Sequence, residues 1–153
     1  MTGNCHVRFL EGRASEMGSG YSIKAEHAVD LDTGAVVTVT LQAADLGDTT
    51  TVAETLADAG IAVAELVERE AELHPEEKPQ VNIYGIEELV ADKGYHSGAV
   101  LEQVKELEVR TYIPEKKQAG KRHWDGKQGQ QQAVYQNRQR ALALTKNDPL
   151  VLV

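Results

Sequence analysis

Two adjacent runs restrict the fold more than anything else in the chain. Tyr21 to Asp30 reads YSIKAEHAVD, with Ile23, Ala25, His27 and Val29 on one side of an alternation and Lys24 and Glu26 on the other. A repeat of two is the repeat of a strand, in which successive side chains point to opposite faces. LDTG (31–34) supplies turn residues, and AVVTVTLQ (35–42) follows as a second, β-branched strand. The pair is expected to form a half-buried antiparallel hairpin, with His27, on the apolar side, read as a core histidine.

The repeat then changes. After AADLGD (43–48), Thr51-Val52-Ala53-Glu54 has the spacing of a capping box. Val52, Leu56, Ala59, Val63, Leu66 and Val67 recur at helical spacing up to about Glu72, with Glu54, Asp58, Glu65, Glu68 and Glu72 on the opposite, solvated face. Gly60 weakens this helix and is a place for it to split. HPEEKPQ (74–80) reads as an exposed linker. Glu87 to Asp92 is a short buried strand, Ser97 to Glu106 an amphipathic helix with Val100, Leu101 and Val104 inward, and Val109 to Ile113 another strand closed by Pro114.

Residues 114–132, polar, basic and without period, are expected to be a loop, and Ala133 to about Thr145 a helix followed by the apolar tail PLVLV. The first 19 residues offer one short strand, His6 to Leu10. An antiparallel meander followed by alternating helices and strands makes a single α/β domain, a mixed sheet with helices packed on it. That is the element order of an RNase H-like fold.

The chain's 153 residues suffice for one core, and its single cysteine, Cys5, excludes an internal disulfide. No apolar run approaches the ~20 residues of a membrane span, and the start lacks the pattern of a signal peptide, so the cytoplasm is expected. The net charge of −8 hides a split: from Arg110 onward nine basic residues face three acidic ones, giving +6 and leaving −14 to residues 1–109. A basic end on an acidic chain suggests a polyanionic partner, against the plainer reading of a lysine-solvated loop.

Asp92, at the mouth of its strand, is the residue best placed for chemistry. Ligands gather at the carboxyl ends of parallel strands, and a carboxylate there can reach a metal ion or a phosphate; capping nearby amides is the structural alternative. Lys93 and His96 could contact phosphates, while Tyr95 is expected to pack beneath its loop. RHWDGK (122–127) sets Trp124 among cations, which suits phosphate contact and base stacking, though Trp124 could equally pin the loop. No zinc-site spacing, phosphate-binding glycine loop or hydrolase elbow is present.

Five stretches together resemble the catalytic domain of bacterial insertion-sequence transposases of the DDE class, the IS4-like group: GYSIKAEHAVDLDTG (20–34), AADLGDTTTVAETL (43–56), VADKGYHS (90–97), TYIPE (111–115) and RHWDGKQGQQQAVYQNRQR (122–140). The resemblance implies an RNase H-like sheet whose Asp, Asp and Glu bind two Mg²⁺ ions (or Mn²⁺), so that water or a DNA 3′-hydroxyl attacks a phosphodiester. Asp92 matches the second acid, and is the catalytic and metal-binding residue expected. Lys93, His96, Lys116, Lys117, Lys121, Arg122, Trp124, Lys127 and Arg138 are the DNA-contacting residues expected. The partners implied are transposon-end DNA, at the nucleoid, and a further copy of the chain or an intact transposase.

The first acid has no aspartate to match it, since residues 1–20 contain none, and Glu11 is the nearest substitute. The third should be a glutamate beyond YQNRQR, yet no glutamate follows Glu115. The chain is therefore expected to be a domain incomplete at both ends, its sheet lacking a first strand. It would be a remnant that does not cut DNA; the alternatives are a DNA-binding or transposase-regulating module and a translated relic.

Overall fold

The computed structural model describes residues 5–13, 23–117 and 120–147, the first of these and 144–147 as backbone alone. Five strands form one sheet: β1 (Cys5–Arg13), β2 (Ile23–Asp30), β3 (Val36–Ala43), β4 (Ile86–Val90) and β5 (Arg110–Tyr112), in the order β3-β2-β1-β4-β5. β1–β2 and β2–β3 pair antiparallel, with Leu10 opposite His27 and His27 opposite Val39. β1–β4 and β4–β5 pair parallel, with Arg8 opposite Val90 and Val90 opposite Tyr112. The carboxyl ends of β1, β3, β4 and β5 consequently share one rim.

The expectation of a missing first strand is corrected by β1. It spans nine residues, occupies the centre of the sheet and joins the hairpin to the parallel half. It contains the short strand expected at His6 to Leu10, and a strand with neighbours on both sides has its backbone groups paired within the sheet.

The long helix α1 runs unbroken from Asp48 to Leu73. Gly60 does not split it: tertiary contact along one face outweighs a propensity penalty of about 1 kcal/mol. Its start is also earlier than the capping-box reading. Gly47 is the N-cap and makes no side-chain cap bond, while Thr51 lies one turn inside and buried. α2 (Gly98–Glu106) starts where expected, its N-cap Ser97 accepting from the Val100 amide at 3.1 Å. α3 (Gln128–Asn147) begins before Ala133, so the basic loop is shorter than 114–132. PLVLV lies outside the described residues.

One continuous core joins Ala28 of the sheet, Val52, Leu56 and Ala59 of α1, Leu89, Tyr95, Val100, Leu101 and Val104, and Ile113, Ala133 and Val134. The hairpin turns the opposite way from its expected orientation. Lys24, Glu26 and Ala28 face α1 and are buried, whereas Ile23, Val39 and Leu41 are on the other face, 52%, 48% and 68% exposed. His27 is only partly buried, on that second face.

Charges survive under α1 because each has a partner. The Lys24 ammonium lies 2.9 Å from Glu26 Oε1 and 3.1 Å from Asp48 Oδ1. The Thr51 and Thr55 hydroxyls donate to the two Glu26 oxygens at 2.5 and 2.6 Å. Burial works against the Lys24 charge, yet the two carboxylates outweigh it and lift its pKa above the ordinary lysine value.

Candidate functional site

β4 ends at Val90, and two residues later Asp92 stands exposed at the rim shared with β1. It is the N-cap of a 3-10 turn, Lys93–Tyr95, but its side chain makes no cap bond. The capping explanation therefore lacks its hydrogen bond. Tyr95 is 1% exposed and fixes the turn from below, as expected, while Lys93 is exposed. Glu11 lies near the carboxyl end of the neighbouring β1, paired across the sheet with Glu26; its side chain is outside the described residues.

Two contacts hold the Asp92 turn. A Cβ on Gly94 would run into the Asp48 carboxylate, which the Lys24 ammonium holds in place. From the other side Lys116 donates to the Gly94 carbonyl at 2.9 Å. The buried network under α1 and the basic segment thus both end on the same turn. Neither contact was foreseen, because partners 22 and more residues apart leave no periodic trace in a sequence.

The basic segment folds around one carboxylate. Arg138 grips Glu115 with two bonds, Nε at 2.8 Å and an Nη at 2.9 Å, and Arg122 reaches the same group at 3.0 Å. The Arg138 bonds are the largest influence holding the Glu115 pKa below the usual carboxylate value. Arg122 lies 5.6 Å from the Trp124 ring centre and Arg138 5.2 Å from that of Tyr135. The two rings are 6.5 Å apart and tilted by 48°.

This ladder borders an open cavity of about 520 Å³, also lined by Lys116, Lys117 and Lys121. Five cations against one carboxylate suit a polyanion, and the rings beside them suit bases.

Of the expected DNA-contacting residues, the structure brings Lys116, Lys117, Lys121, Arg122, Trp124 and Arg138 to this one cavity. His96 and Lys127 line a second, of about 280 Å³, that shares Arg122 and Trp124 with the first. Asp92 and Lys93 line neither. His96 is 5% exposed, and burial first, then the Arg122 charge, depresses its pKa below the ordinary histidine value.

Glu115 and Tyr135 had no assigned role. The spacing of Tyr135 and Arg138, three apart on one helix face, was the available signal for the second aromatic–cation pair. Nothing in the text signalled that Glu115 would gather two arginines.

Among the described residues, no three His, Cys, Asp or Glu side chains converge where a metal ion could be held. None of the described helices is long and apolar enough to cross a membrane. Residues 13–150 match the family model described as Transposase DDE domain. No curated protein and no solved structure matches the chain.

Proposed function

The chain belongs to the transposase DDE domain family, and on that premise we propose that the Asp92 rim and the basic–aromatic cavity beside it form its DNA-facing surface. Its function is DNA transposition, and the family uses divalent metals. We infer an RNase H-like sheet. The reading is supported by the order β3-β2-β1-β4-β5, antiparallel through the first three strands and parallel through the last two. The observation that carries the site is the bond from Lys116 to Gly94, which joins the cation-rich segment to the turn bearing Asp92.

Asp92 is the acid we assign to Mg²⁺. Mg²⁺ binds through one or two carboxylates plus substrate phosphates, and a two-metal site needs ligands shared by ions about 4 Å apart. The described residues do not fit such a pair. No three metal-ligating side chains converge among them, and Asp48, which borders the Asp92 turn, is engaged by Lys24. No cleavage step is therefore derived. That misfit favours DNA contact without turnover, in the manner of a cytoplasmic binding module or a regulator that co-assembles with an intact transposase.

Gel shifts with duplex DNA test the surface. Binding is expected near 50 mM salt and should weaken steeply as salt rises, with a slope of about 0.9 per phosphate neutralised. Lys117→Gln with Lys121→Gln should lower affinity for unrelated sequences alike and flatten that slope by about two. Absence of binding at low salt, or an unchanged double variant, would remove the proposal.

A further inference from the structure

The second cavity has a chemistry of its own. α2 begins at Gly98, and the first amides of a helix point outward with no acceptor in the helix itself. Ser97 satisfies only the Val100 amide there. Arg122, His123 and Lys127 line the same hollow, and no carboxylate does. Gln130 reaches across the helix start, close enough that a Cβ on Gly98 would strike its side-chain amide. Beneath them His96 is 5% exposed, and its Nε2 has no hydrogen-bond partner among the described residues. A buried polar atom of this kind is costly unless something meets it.

A helix start, a guanidinium, an ammonium and an imidazole line one small hollow. Such a set suits a compact, multiply charged oxyanion such as phosphate. We propose that the start of α2 is a phosphate subsite, in which the Gly98 amide, Arg122, Lys127 and His96 Nε2 hold a single phosphate group. The inference rests on the DNA reading only for the source of that phosphate, a strand's diester or terminal phosphate as opposed to free phosphate. The Asp92 turn leads directly into this helix, so a strand anchored here would be held beside the rim.

Two built-in probes report on the hollow. His96 lies in its floor, and Trp124, the chain's only tryptophan, lines its wall. The full chain is titrated with inorganic phosphate, with sodium chloride at matched ionic strength, and with a short 5′-phosphorylated oligonucleotide. His96 imidazole nitrogens are followed by NMR, and Trp124 emission in parallel.

Phosphate should shift both signals saturably where chloride does not. Lys127→Gln, an exposed change, should weaken that response about tenfold, the worth of one charge-assisted contact. A His96 shift with the oligonucleotide identifies DNA as the source, and a shift with phosphate alone keeps the subsite while removing DNA from it. If DNA binds in gel shifts yet neither probe moves His96, the subsite is wrong and the DNA surface stands. An equal response to chloride also overturns it.

Discussion

Glu26 is fully buried, and three partners meet its carboxyl group: Lys24, Thr51 and Thr55. Removing Glu26 takes one of the two carboxylates from Lys24 and the acceptor from two buried hydroxyls, and breaking a buried pair in this way costs about 3–5 kcal/mol. Glu26→Leu should therefore lower the unfolding free energy by about 3–5 kcal/mol in urea titrations. Replacing both charges, Lys24→Met with Glu26→Leu, should lose less than Glu26→Leu alone, because no buried ammonium is left with Asp48 as its one remaining carboxylate. A double variant as unstable as the sum of the singles would mean the pair is not coupled.

Lys24 adds a pH dependence with a fixed sign. Its pKa is raised on folding, so its stabilisation is complete below the ordinary lysine value of 10.5 and is lost as pH climbs through the raised one. The stability gap between the native chain and Lys24→Met should accordingly shrink above about pH 10.5. A gap that stays constant to pH 12 or so would contradict the shift.

Asn137 is the corresponding device between elements. On α3, 1% exposed, it accepts from the Ile113 amide at 3.0 Å and donates to the Ile113 carbonyl at 2.8 Å, pairing as a neighbouring strand would just where β5 ends. Asn137→Ala would leave two backbone groups buried without partners, at about 1–3 kcal/mol each. A loss of at least about 2 kcal/mol in urea unfolding is expected. A change under about 0.5 kcal/mol, the range of an ordinary surface substitution, would show that water replaces the amide.

The segments that alternate or repeat locally were legible: the hairpin, α1, β4 and α2 all stand within a few residues of their sequence-based bounds. The hairpin's orientation was not. Lys24 and Glu26 look like a solvated face until Asp48, Thr51 and Thr55, more than twenty residues away, are brought over them. β1 was half visible, because only its apolar middle differs from its surroundings. The Glu115 clasp and the Asn137 clamp depend on partners 7 to 24 residues off, and no local pattern encodes them.

Over the whole molecule, five of the nine basic residues from Arg110 onward line one cavity, and acidic residues are spread along α1. A chain of net charge −8 can therefore still present a local attraction for a polyanion where its cations lie together. Binding and cutting are separate requirements. Cutting needs carboxylates that hold metal at the point where the phosphodiester arrives, and among the described residues no three metal-ligating side chains converge, while Asp48, which borders the Asp92 turn, is already bonded to Lys24.

A supercoiled plasmid incubated with the 153-residue chain and Mg²⁺ or Mn²⁺ should therefore be nicked no faster than a protein-free control, and Asp92→Ala should not alter that rate. Asp92→Ala should meanwhile leave DNA binding intact or slightly tighter, because it removes a negative charge from the edge of a cationic surface. Metal-dependent nicking that disappears in Asp92→Ala would show instead that further carboxylates complete the site when DNA is bound.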